Sequence, residues 1–281
     1  MVFFNAKAIS SFVLGSALLI QTALTGVDGQ AWRSHHGLTG AAFQTQFNDY
    51  VSQGYRLTHL DGYGLNNVAY FAAIYEKTSG PAWIAKFGLT SAGYQEQFNA
   101  LVKDGYRLQK INGYSTGGSE PRFAAIFDKS AGPAWVAKHG LDSAQYQAAF
   151  NTYVSQGYRL KQVSGYAVGT SVRYAALFDK STGPKFQARH GLTSEQYQAA
   201  VTKLKGEGYR PVAIDAYTVN GQNLFAAIFE PTAGVAWEAR HNLTPAQYQA
   251  EFDRLVKLGY KLVIVSGYGT GAALYAALWT K

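Results

Sequence analysis

The sequence repeats itself five times, and that most limits what it can fold into. Large aromatic residues at Trp32, Trp83, Trp135, Phe186 and Trp237 stand 51, 52, 51 and 51 residues apart, and each opens the same text. In the third copy this text runs Trp135-Val136-Ala137-Lys138-His139-Gly140-Leu141, then a helix-like stretch, then Gly157-Tyr158-Arg159-Leu160, Gly165-Tyr166 and Tyr174-Ala175-Ala176-Leu177-Phe178-Asp179. A fixed period of this length restricts the fold to copies of one small unit that share cores with their neighbours. The copies divide at about residues 30–80, 81–132, 133–183, 184–234 and 235–281, forming one repeat domain.

Each copy carries its own local instructions. Thr39, Thr90, Asp142, Thr193 and Thr244 hold one column, and all are residues whose side chains cap helix starts. Gln145, Gln196 and Gln247 follow three residues later and make capping boxes. Tyr146, Phe150, Tyr153 and Val154 then mark one apolar helical face, and Gly54, Gly105, Gly157, Gly208 and Gly259 end the helix. From cap to glycine the helix should span about 14 residues, roughly four turns. Tyr158 to Tyr166 reads as a strand; Leu160 and Val163 break its alternation, so a bulge is expected near Gly165. The run Phe123-Ala124-Ala125-Ile126-Phe127 is apolar on both faces, as in a covered central strand. The Trp run is a third strand that exits at Gly37, Gly88, Gly140, Gly191 or Asn242.

The fold class is therefore α+β: five tandem units, each one helix plus a three-stranded antiparallel meander, in a closed or nearly closed ring resembling a propeller. The meander is expected to take its third strand from the Trp run that follows it. The fifth meander then lacks a strand and the first Trp run lacks a partner. Pairing residues 31–35 with 274–279 would close the ring and remove both edges.

Residues 1–29 differ from the rest. Lys7 precedes a mostly apolar run from Ala8 to Leu24, with small residues at Gly26 and Gly29, which reads as a secretory signal peptide. Ser10, Ser11, Ser16, Gln21 and Thr22 interrupt the run, which argues against a stable membrane span. The sequence contains no cysteine, so an exported fold must stand on packing, without disulfides, thiol nucleophiles or thiolate metal sites. The formal net charge of +8 suits an acidic extracellular partner. Export and the lack of any nucleic-acid-binding motif argue against nucleic acid.

The combination of Trp-x-Ala-x-His-Gly-Leu, Tyr-Gln-x-x-Phe, Gly-Tyr-Arg-Leu, Ser-Gly-Tyr and Tyr-Ala-Ala-x-Phe resembles the structural repeat of fungal polyglycine hydrolases and related bacterial tandem-repeat proteins. The resemblance covers residues 30–281. In that family the repeats form an N-terminal domain, and a C-terminal domain similar to serine β-lactamases cuts glycine-rich linkers in plant chitinases. The Ser-x-x-Lys nucleophile motif of that second domain is absent here; the nearest tetrapeptide is Thr202-Lys203-Leu204-Lys205, inside a repeat helix. The resemblance thus implies fold and export, and not the protease activity.

Candidate sites follow from columns. His36, His139, His190 and His241 share one, with Phe87 in the second copy, and read as structural because a hydrocarbon ring replaces one of them. No metal, cofactor or catalytic residue is expected. Arg56, Arg107, Arg159, Arg210 and Lys261 share another and have no evident packing role, so they are candidates for ligand binding. Tyr63, Tyr114, Tyr166, Tyr217 and Tyr268 stand beside the variable loop, able either to stack on sugar rings or to pack in the core. Asn242-Leu243-Thr244 is a glycosylation sequon, weakened by Pro245. The expected function is a secreted, non-catalytic binding or scaffold module for an extracellular polymer, a glycan or cell-wall glycoprotein. Two alternatives stand beside it: a protein–protein module related to the targeting half of polyglycine hydrolases, or a hydrolase with an unrecognised site.

Overall fold

The structure, a computed structural model, describes residues 31–231 and 234–281. The signal peptide expected at residues 1–29 lies outside these. The first unit is β1 (Trp32–Thr39), α1 (Gly40–Ser52), β2 (Arg56–Leu65) and β3 (Val68–Glu76). The second is β4 (Trp83–Leu89), α2 (Ser91–Lys103), β5 (Arg107–Tyr114) and β6 (Arg122–Asp128). The third is β7 (Trp135–Leu141), α3 (Ser143–Ser155), β8 (Arg159–Val168) and β9 (Ser171–Asp179). The fourth is β10 (Gln187–Leu192), α4 (Ser194–Gly206), β11 (Tyr209–Val219) and β12 (Gln222–Pro231), and the fifth is β13 (Trp237–Leu243), α5 (Pro245–Lys257), β14 (Lys261–Tyr268) and β15 (Leu274–Thr280).

Each helix has 13 residues and starts at the expected cap, with complete capping boxes on α3, α4 and α5. The glycine after each helix has φ between 81° and 84°, a conformation that a Cβ disfavours. Gly37, Gly88, Gly140, Gly191 and Asn242 also have positive φ. They do not end the Trp strands, however. Each sits in a bulge, and the strand resumes pairing at the next leucine, as between Lys138 and Leu141. The other bulge falls earlier than Gly165, at Lys161 and its equivalents Thr58, Gln109, Val212 and Val263.

Pairing within the sheets differs from the expected meander. The orders are β1-β3-β2, β4-β6-β5, β7-β9-β8, β10-β12-β11 and β13-β15-β14, so each Trp strand pairs inside its own unit. Trp32 stands opposite Glu76 and Trp237 opposite Thr280. Pro81, Pro133 and Pro184 precede the Trp strands and offer no N–H to a ladder with the strand before them. Every unit is consequently complete in its own strands, and β1 does not pair with β15.

The ends of the described chain meet all the same. The β2-type strands touch in a cycle, β2 to β5, β8, β11, β14 and back to β2. Each hydrophobic core lies between neighbouring units. Phe43, Tyr50 and Phe71 pack with Tyr114 and Ile126; Tyr94 and Phe123 with Tyr166 and Leu177; Tyr146 and Phe178 with Tyr217 and Ile228. Tyr197 and Phe229 pack with Tyr268 and Leu278, and Tyr248, Phe252 and Trp279 with Trp32 and Ile74 of the first unit. The ring therefore closes by side-chain packing rather than by strand exchange.

Candidate functional site

The axis of the ring fixes where everything else points. With β3-type strands in the middle of each sheet, the β2-type strands present a free edge to their neighbours. Unpaired N–H groups on such an edge need acceptors. One column supplies them: Asn112 Oδ1 accepts from Gly62 N (2.8 Å), Ser164 Oγ from Gly113 N (3.0 Å) and Asp215 Oδ2 from Gly165 N (2.7 Å). Ser266 Oγ accepts from Ala216 N (2.9 Å), and Asp61 Oδ2 from Gly267 N (2.8 Å), which completes the circle. All five side chains are buried. The sequence signal is an all-polar column amid apolar ones, masked by the more conspicuous Gly-Tyr pairs beside it.

Two carboxyls share this girdle. Asn112 Nδ2 and Ser266 Oγ both donate to Asp61 Oδ1 at 3.2 Å. Burial, then the nearby charge of Asp215, pushes the Asp61 carboxyl well above its ordinary range, and burial raises Asp215 to about 7. The adjoining cavity of about 40 Å³ has room for a water and none for a substrate. Both carboxyls keep protons in the fold that the unfolded chain releases. Their contribution is complete below the ordinary carboxyl value and fades as pH rises through the raised value of each, about 7 for Asp215. Burial conversely lowers His35, His36 and His59 to about 4, so their contribution is present above 6.5 and lost toward acid. Comparison of Asp215→Asn with wild type isolates the carboxyl. The variant should gain melting temperature relative to wild type as pH is raised from about 4 to 7. A difference independent of pH would mean that Asp215 is ionised in the fold.

The tyrosine column is drawn into the core. Tyr63, Tyr114, Tyr166, Tyr217 and Tyr268 are all buried; the first four lie on Gly267, Gly62, Gly113 and Gly165 of the preceding unit, and Tyr268 shares a core with Ala216. Their hydroxyls serve the bulges: Gly140 N donates to Tyr166 Oη (2.8 Å) and Asn242 N to Tyr268 Oη (2.7 Å). Tyr63 instead meets the Tyr275 hydroxyl at 2.7 Å across the closing joint. Asn242 is engaged at both ends of its amide, with Nδ2 donating to Ser194 Oγ (2.6 Å) and Oδ1 accepting from Tyr268 (2.9 Å). A glycan on that nitrogen would compete with the Ser194 bond. His241 Nε2 lies 3.1 Å from the same Ser194 hydroxyl, but its ring is wedged edge-on between Tyr197 and Phe225. Phe87 fills the matching slot between Phe43 and Phe71, so the slot selects a flat ring rather than an imidazole.

The cation column turns out not to be uniform. Arg56, Arg107 and Arg159 each lie over the aromatic anchor of the next unit, Trp83, Trp135 and Phe186, at 5.6, 5.7 and 5.1 Å. Each also donates to a carbonyl in the turn before it: Pro81, Gly132 and Pro184. These contacts are the packing role that the sequence did not disclose, and they staple neighbouring units together. Arg159 further pairs with Glu230 (2.6 Å), and Lys261 with Glu76 across the closing joint (2.6 Å). Among the described residues Arg210 meets no acid, because Thr280 holds that position in the fifth unit, and Lys205 lies over Trp237 in its place.

Arg56 and Arg107 differ for a simple reason. Their counterparts in the next unit are Asp128 and Asp179, one methylene shorter than Glu230 and Glu76. Both turn back onto their own loops, where Asp128 accepts from Ser130 Oγ (2.6 Å) and Asp179 from Ser181 Oγ (2.5 Å). The unfilled space is a groove of about 380 Å³ across the first three units. Trp83 and Trp135, both half-buried, form its apolar walls, and Arg56, Arg107, Lys110 and Lys161 its cationic rim. The bulge aims Lys161 here, and Lys110 follows the bulge of its own strand. Neither lysine stands out in the sequence, because its column changes chemical class between units.

Among the described residues no group of three or more His, Cys, Asp or Glu side chains could hold a metal ion, and no helix is long and apolar enough to cross a membrane. Comparison with protein families finds one description, "Polyglycine hydrolase-like, structural repeat", which matches five times, over residues 29–78, 80–130, 132–181, 183–232 and 234–281.

Proposed function

The chain belongs to the polyglycine hydrolase-like structural repeat family, and from that premise we propose that it is an exported, non-catalytic binding module for an extracellular polymer, a glycan or cell-wall glycoprotein. One observation carries the reading. The groove gathers four cations, Arg56, Arg107, Lys110 and Lys161, that form no ion pair among the described residues, while tryptophans remain half-exposed beside them. Its size suits one or two sugar rings or a short peptide turn, and ligand pockets combine apolar walls with a few polar groups in this way. Aromatic faces beside donors match the mixed apolar and hydroxyl surface of a sugar.

Lengthening the two acids tests the assignment without disturbing the ring. Asp128→Glu together with Asp179→Glu recreates the pairing seen at Arg159 and should fill the groove. Binding to a panel of cell-wall polysaccharides and glycoproteins should fall by about tenfold or more, with an unchanged or higher melting temperature. If no polymer of the panel binds the wild type, or if the double variant binds equally well, the groove is not the site.

A further inference from the structure

We propose that this groove takes an anionic oxygen group, a carboxylate or sulfate ester of an acidic polysaccharide, between Lys110 and Lys161. The inference rests on the binding reading above and names the chemistry of its ligand.

Charge that belongs to the scaffold should recur in every unit, and this charge does not. The bulge column reads Thr58, Gln109, Lys161, Val212 and Val263, and the next column reads His59, Lys110, Gln162, Ala213 and Ile264. The two lysines come from different units and different columns, yet line one groove. Neither has a carboxylate within ion-pair distance among the described residues, whereas Arg159 and Lys261 do. The two acids that also line the groove, Asp128 and Asp179, are outnumbered by its four cations and are turned onto Gln109, Ser130 and Ser181 rather than onto either lysine. Lys110 is half-buried, and its pKa is lowered by burial and then by the charge of Lys161. Lys161 is exposed beside it; a half-buried cation near a second cation raises the energy of the empty groove, and an anion between them removes that cost. Arg56 and Arg107, held over Trp83 and Trp135, extend the positive rim, so further acidic residues along the polymer would also be met.

The chain itself supplies gentle variants. Gln162 stands in the column of Lys110 and Thr58 in that of Lys161, so Lys110→Gln and Lys161→Thr place tolerated side chains. Calorimetric titration would use oligogalacturonate for carboxylate, dextran sulfate for sulfate ester and a neutral β-glucan oligomer. Wild type should bind at least one acidic probe, and bind it more tightly than the neutral one. Each single variant should lose about tenfold for that probe and the double variant about a hundredfold, with a shallower dependence on salt. The better acidic probe identifies the group. Equal affinity for acidic and neutral probes, no binding of either acidic probe, or full acidic affinity in the double variant would overturn the anion site. In each of those cases the Asp128→Glu, Asp179→Glu variant still reports separately on whether the groove binds at all.

Discussion

Asp61→Ala should be among the most damaging single changes in the molecule, costing about 3 kcal/mol or more. The side chain sits at the closing joint and accepts from Gly267 N, Asn112 Nδ2 and Ser266 Oγ. Truncation leaves Gly267 N and Asn112 Nδ2 short of an acceptor, while Ser266 Oγ keeps the Ala216 carbonyl, and a single unsatisfied buried group costs about 1–3 kcal/mol. In a chain of this size a loss of about 3 kcal/mol lowers the melting temperature by roughly 6–12 °C. Asp61→Asn should recover most of the loss, because Asn112 already does the equivalent task one unit further on. Thermal melts of the three proteins decide the matter. An alanine variant that melts within a degree or two of wild type would mean that the girdle does not hold the joint.

Gly165→Val should be comparably severe, for steric rather than polar reasons. A Cβ at Gly165 would lie 2.7 Å from Tyr217 Cδ1 and nearer still to Cε1 and Cζ, well inside contact distance. Tyr217 cannot simply retreat, since its hydroxyl is held by Tyr174 at 3.0 Å and by the Gly191 amide. Overpacking of a closed core costs about 1–3 kcal/mol and sometimes more, and here it also pries apart two units. The fourth unit carries Ala216 in this column, so a methyl is tolerated at a joint shaped around it. Ala216→Gly is therefore the control and should stay within about 1 kcal/mol of wild type. If Gly165→Val unfolds no earlier than that control in urea, the Tyr-on-Gly contact is not what sets the spacing between units.

Local features were legible in the sequence because they depend on neighbours a few residues away. The caps, the 13-residue helices and the positive φ at Gly54 and Asn242 all follow from residue type at a fixed offset. Pairing between strands was not legible in the same way. A Trp run can form an antiparallel ladder with the strand before it or with the second strand after its helix, and both choices satisfy the same alternation. The site was harder still. Arg56 and Arg159 look identical in sequence, and what separates them is the length of an acid in the next unit, Asp128 against Glu230. The tyrosines were ambiguous because a buried Tyr with a satisfied hydroxyl and an exposed one share the same flanking text. Lys110 and Lys161 were visible only as departures from the repeat, and searching for what recurs passes over them.

Closure by packing also changes how the molecule can come apart. A linear array of repeats has two terminal units, each with one bare apolar face that must be capped, and it frays from those ends. Here Tyr248, Phe252 and Trp279 of the last unit cover Trp32 of the first, so none of the five occupies a terminal position. No copy needs a specialised capping sequence, and the first and last units keep the same apolar columns as the middle three. Loss of one joint turns the circle into an open arc with two unprotected faces at once. Partial unfolding is thereby penalised twice over, and five weakly stable units are made to stand or fall as one.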